Sequence, residues 1–186
     1  LGRIEAAAAG VRLNTDAVDN SAGVDTSDHE VNIKILLNQV VARGQLDSEA
    51  RHALLARMTD EVGDQVLRDN YLQNTILEQS RHNAPAMLRV HQRVMHDLEA
   101  KSLLNRAVEY LPTDQALDAL HMAGRGLTSP ELAVLMAYVK IDLKRVDPDE
   151  VLYDEPWCTE VLHSYFPREL VDSFAGDMST HALRRE

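Results

Sequence analysis

Across residues 27–139 the apolar side chains recur at the three- and four-residue spacing of a helix face, and this constrains the fold more than any other feature. Ile33, Leu36, Leu37, Val40 and Val41 make one such run. Leu54, Met58, Val62 and Val66 make a second, and Met87, Leu88, Val90, Val94, Met95 and Leu98 a third. Stripes of this kind are buried helix against helix. The expected core includes Ile33, Leu37, Leu54, Val94, Leu98, Leu132, Leu135, Met136 and Val139, with Met87, Met95 and Met122 also on apolar faces. Only 4% of the residues are aromatic while 45% are hydrophobic, a balance that favours helix over sheet.

Polar punctuation sets the expected boundaries. Ser27 and Glu30 form a Ser-x-x-Glu capping box, opening a helix that runs to Ala42, before Gly44. Asp47 caps the next, with Gly63 as a bend or break. Pro85 suits the first turn of a further helix, which continues to Leu104 before the segment ends at Pro112. Thr113 caps a short helix to Met122, Gly124-Arg125-Gly126 forms a hinge, and Thr128 with Glu131 makes a second capping box, stapled by Leu127 and Leu132. That helix should end near Arg145, ahead of Asp147-Pro148-Asp149. Short pieces follow at 150–153, at 156–165 and from Pro167 onward. They concentrate Trp157, Tyr165, Phe166 and Phe174, which should plug a core or a partner surface.

The start of the chain has a different texture. Residues 3–9 form a helical scrap closed by Gly10 as a left-handed C-cap, and residues 11–13 alternate as a short strand. A helix, a glycine, a strand and a loop in that order match half a turn of a nucleotide-binding α/β domain. Residues 20–24, Asn-Ser-Ala-Gly-Val, suit a loop that lets the backbone approach a ligand, and glycine followed by serine at a helix start makes a carboxylate pocket. The expected fold class is therefore mainly α. A helical bundle spans 27–186, preceded over 1–26 by a small α/β remnant of a Rossmann-like dinucleotide-binding domain.

Charge and composition remove several functions. A formal net charge of −11, with arginines interspersed among acids, argues against a nucleic-acid or membrane-surface partner. Cys158 is the sole cysteine, so no intrachain disulfide forms, and a buried inert thiol is expected there. No apolar run reaches membrane-spanning length and no signal peptide opens the chain, which makes the cytoplasm the expected location. A start at Leu1 and an end inside a helical pattern suggest a piece of a larger protein. His91 and His96 lie on different helix faces, and neither His-Glu-x-x-His nor Cys-x-x-Cys occurs. Asp16, Asp19, Asp25 and Asp28 lack the closing glutamate of a calcium loop and read as turn and cap residues. His29 is assigned to solvent or an interface. No metal site and no catalytic residue is assigned.

Asn20-Ser21-Ala22-Gly23-Val24, followed by Thr26-Ser27 and Glu30, resembles the Asn-Ala-Gly-Gly-Val-x-x-Ser-x-x-Glu signature of glutamate dehydrogenases. The wider string from Asp19 to Leu37 is similar to the very large bacterial NAD-specific class of that family, and Gly126-Leu-Thr-Ser-Pro-Glu-Leu-Ala-Val-Leu-Met-Ala-Tyr138 resembles the helical region after its catalytic domain. Ser21-Ala22 stands where Ala-Gly is usual, and Asp28-His29 where aromatics are usual. The resemblance implies NAD as cofactor and L-glutamate and 2-oxoglutarate as substrates. It puts Asn20, Ser21 and Ala22 beside the nicotinamide, and Gly23, Val24 and Ser27 along the pocket for the glutamate side chain. It also implies upstream domains of the same chain, holding the phosphate loop and the catalytic lysine and aspartate, and a homo-oligomer. The competing reading is a non-catalytic helical scaffold or interaction module. Under either, this chain alone is expected to be catalytically silent, since it has no Gly-x-Gly-x-x-Gly loop.

Overall fold

The computed structural model describes residues 2–145 and 155–184. Among the described residues every regular element is a helix, so the mainly α class is what is observed. In chain order these are α1 (Gly2–Ala8), α2 (Asp16–Asp19), α3 (Ser21–Ala42), α4 (Ser48–Arg57), α5 (Thr59–Ala100), α6 (Asp114–Met122), α7 (Ser129–Leu143), α8 (Pro156–Tyr165) and α9 (Arg168–Met178). None is long and apolar enough to cross a membrane. The expected pieces at 147–153 lie outside the described residues.

The strand expected at residues 11–13 is not formed; these residues are irregular. A strand needs a ladder partner, and the described residues supply none. What precedes it matches expectation, since α1 closes at Gly10 (φ +99°), with Val11 N–H donating to the Ala6 carbonyl at 3.0 Å.

The chain forms two compact units. The first comprises Leu1–Asn20 with Tyr71–Val146, the second Ser21–Asn70 with Asp147–Glu186. The core of the first is built on Leu88, Met95, Leu98, Leu117, Leu132 and Leu135, all buried, with Val94, Met136 and Val139 packed against it. The Thr113 hydroxyl accepts from Ala116 N–H at 3.3 Å to start α6. Thr128 N–H donates to Glu131 Oε2 at 2.7 Å to start α7, while Leu127 and Leu132 are both buried. Pro85 is a correction. It lies inside the 42-residue α5 rather than in a first turn. Its missing N–H leaves a gap in the helical ladder there, and the chain packs Gly126 against the same place. A Cβ on Gly126 would lie 2.2 Å from the Ala84 backbone carbon and 2.5 Å from Pro85 N.

In the second unit Ile33, Leu36, Leu37, Leu54, Met58, Phe166, Leu170 and Met178 are buried together. Asp47 caps α4 as expected, accepting from Ala50 N–H at 2.8 Å. The break expected at Gly63 instead falls at Met58, between α4 and α5. An interior glycine costs a helix only about 1 kcal/mol against alanine, and α5 absorbs it. Met122 and Met87 are corrections too, being 87% and 40% exposed. Cys158 is half-buried, not buried, and Trp157 is 57% exposed, so of the expected aromatic plugs only Phe166 is fully buried.

Candidate functional site

The Thr15 hydroxyl accepts from Val18 N–H at 3.4 Å and starts α2; Asn20 follows as its exposed C-cap. Helix α3 then begins at Ser21, six residues before the expected start, so Ser21, Ala22, Gly23 and Val24 are helical instead of a loop. The capping box at Ser27 and Glu30 is therefore absent. The Ser27 hydroxyl donates back to the Gly23 carbonyl at 3.1 Å, Thr26 does the same to Ala22 at 2.7 Å, and Glu30 pairs with Lys34. Residues 26 and 27 sit within this one unbroken helix. Its helical state is fixed by the stripe His29, Ile33, Leu36, Leu37 and Val40, all buried.

Helical spacing sorts the expected site residues. Gly23, Val24 and Ser27 share an exposed face, with Val24 66% exposed although apolar. Ser21 lies on the other side with Asp25 and His29. Its hydroxyl donates to the Asn70 carboxamide oxygen of α5. Thr26 reaches a cavity of about 400 Å³ lined with Ile33, Leu55, Met58 and Val62.

The inward face of α3 was not legible as a site. Ligand-type atoms of Asp25, His29 and Asp69 all lie within 4.8 Å of one another. His29 is 1% exposed, against the expectation of a solvent or interface residue. Neither of its ring nitrogens has a hydrogen-bond partner, nor has Asp25 Oδ2, and His29 Nε2 faces Asp25 Oδ1 at 3.9 Å. Burial holds the Asp25 carboxyl above the usual carboxylate range; the His29 ring opposes that shift, and the charges of Asp69 and Asp28 add to it. The imidazole stacks on Tyr165 with ring centres 4.4 Å apart. Tyr165 is anchored in turn, donating to Asp28 Oδ2 at 2.6 Å and accepting from Asn32 Nδ2 at 3.1 Å. Burial, then the Asp28 bond, pushes its phenol well above the usual range. The other fully buried histidine is ordinary: His181 Nε2 donates to the Asn32 carbonyl at 3.0 Å, and its Nδ1 accepts from Leu183 N–H at 3.1 Å. The only sequence signal for the cluster was Asp25 and His29 four residues apart.

Residues 1–80 match the family model for the bacterial NAD-glutamate dehydrogenase catalytic domain, and residues 124–186 that for the glutamate dehydrogenase C-terminal region. The chain is 45% identical over 186 residues to an NAD-specific glutamate dehydrogenase of Pseudomonas aeruginosa, and 47% identical over 186 residues to one of Mycobacterium tuberculosis. A protein of the same name from Halomonas elongata is 42% identical over 185 residues. In each case 100% of this chain is covered, and it spans 12% of the relative. The residues that first suggested a resemblance thus sit in a likeness running from one end of the chain to the other, and the chain belongs to the bacterial NAD-specific glutamate dehydrogenase family.

Proposed function

We propose that the chain is a segment of an NAD-dependent glutamate dehydrogenase, acting in the oxidative deamination of L-glutamate to 2-oxoglutarate and ammonia in the cytoplasm. The observation that carries this is likeness to proteins of that name over the whole chain, at 42% to 47% identity. In that reaction NAD, when bound, supplies the hydride acceptor. The residues present fit one edge of a nicotinamide: Asn20 offers an exposed carboxamide and Ala22 a small side chain. The sequence holds no Gly-x-Gly-x-x-Gly loop for its phosphates. Arg3, the cation beside α2, is already paired with Asp16 and Asp19 at 2.5 Å. On this reading the phosphate loop and the proton-transferring groups are supplied by the rest of the parent.

What this chain supplies is a wall. Gly23, Val24 and Ser27 present one rigid helical face to the glutamate side chain, and Ser21 is the cofactor-side residue whose hydroxyl is already engaged, by Asn70. A substrate wall works by fixing orientation and excluding water. The test is Ser27→Asp in the full-length enzyme. Ser27 is exposed, so the fold is retained, while the new carboxylate repels that of the substrate. The expected result is an unchanged circular dichroism spectrum and KM for NAD, with kcat/KM for glutamate reduced at least tenfold. Normal glutamate kinetics would remove Ser27 from the site.

A further inference from the structure

We propose that Asp25, His29 and Asp69 bind a divalent transition-metal cation of the zinc class, and that this cation ties the start of α3 to α5. The donor set is one imidazole nitrogen and two carboxylate oxygens, a combination suited to such ions. Asp25 and His29, four residues apart, project from one face of α3, and Asp69 comes from α5. Their ligand atoms already lie within 4.8 Å of one another. Bonds of about 2.0–2.2 Å to a shared ion bring ligand atoms to roughly 3.5 Å apart. Side-chain movements of about an ångström close that gap. Among the described residues no other trio of His, Cys, Asp or Glu meets this condition.

His29 is the independent sign that the cluster is a site. An imidazole 1% exposed with both nitrogens unpartnered is a costly thing to bury, as the fully bonded His181 makes plain. His29 Nε2 and Asp25 Oδ1, 3.9 Å apart, face each other beyond hydrogen-bond distance. A cation takes the nitrogen lone pair directly. It also offsets the charge of Asp25, a carboxylate whose burial disfavours ionisation. The ring is held for this role from behind. Tyr165 stacks on it, and the Tyr165 hydroxyl is itself fixed by Asp28 and Asn32. Three protein ligands leave one position for water. Gly23, Val24 and Ser27 lie on another face of α3, so the cation braces the helix carrying the proposed substrate wall without touching that wall. The proposal stands independently of the glutamate assignment.

The 186-residue chain, stripped with a chelator, is titrated calorimetrically with Zn²⁺ alone and melted with and without it. The expected result is one ion per chain and a melting temperature that rises with ion concentration. Co²⁺ in its place should show the visible absorption of a four-coordinate oxygen–nitrogen site. Asp25→Asn and Asp69→Asn, both at half-buried positions that tolerate an isosteric amide, should each weaken binding at least tenfold while retaining the helical spectrum. His96→Gln, at an exposed histidine, should leave the affinity for Zn²⁺ unchanged. Absence of one-to-one binding by Zn²⁺ and Co²⁺ would overturn the proposal. So would undiminished affinity in both aspartate variants, which would assign the ion to surface histidines.

Discussion

A hydroxyl at the start of a helix holds an N–H that has no other partner; the same hydroxyl one turn further in competes for a carbonyl already in use. Thr113 is the first kind and Ser27 the second. Thr113→Ala should therefore cost about 0.5–2 kcal/mol in urea unfolding. Ser27→Ala, exposed and inside α3, should stay within about 0.5 kcal/mol of the parent. Asp114 shows how a single carboxylate sets pH dependence. Arg106, then Gln92 and His96, hydrogen-bond it and hold its carboxyl far below the usual range. A depressed carboxylate stabilises the fold above its unfolded value, about 3.9, and that contribution is lost as pH falls through the folded value. Asp114→Asn should thus be less stable than the parent at neutral pH, and the two stability–pH curves should converge below about pH 4. His29 marks the limit of residue-level reading. Its partner on α3 is visible in the sequence at four residues, whereas Asp69 is forty residues away and only the fold brings it in.

Helix starts at Asp47 and Thr113 were legible because each is a local exchange between a cap side chain and an N–H three residues on, and the start at Thr128 because its own N–H is met by the Glu131 carboxylate. Ser27 and Glu30 carry the same pattern, yet the helix begins at Ser21. A capping box marks a start only where nothing carries the helix past it; here the packed stripe of α3 outweighs the low helix propensity of Gly23, Val24 and Asp25. The strand at 11–13 failed for the converse reason, since it depends on a partner strand and not on its own residues. At Pro85 the local rule pointed to a first turn, while the structure keeps the proline inside α5 and brings Gly126 to within reach of its backbone. Glycine is required at position 126 by that approach. Gly126→Ala should cost about 1–3 kcal/mol, the range for forcing extra carbon into a filled space, read as a lowered urea midpoint. An unchanged midpoint would mean that the contact relaxes freely.

Periodicity identified which face of each helix is buried but not which helices share a core. Ile33, Leu37 and Leu54 belong to one cluster, and Leu98, Leu132 and Leu135 to another, although all six were expected as a single core. Spacing within a helix is local information. The grouping depends on contacts across tens of residues, and the second unit recruits α8 and α9 from the far end of the chain.

That division has a consequence for oxidative chemistry. Peroxide converts an accessible thioether to a sulfoxide and spares a packed one. Met122, 87% exposed, should gain oxygen first, followed by Met87 at 40%. Met95 is enclosed in one core, and Met58 and Met178 in the other. Each can be oxidised only when its own surroundings open. Peptide mass mapping after brief peroxide exposure, repeated in rising urea, should then record two separate clocks. Met95 keeps time for the first unit and Met58 with Met178 for the second. If Met95 were oxidised as fast as Met122 in native buffer, the packing of the first core would be refuted without any enzyme assay.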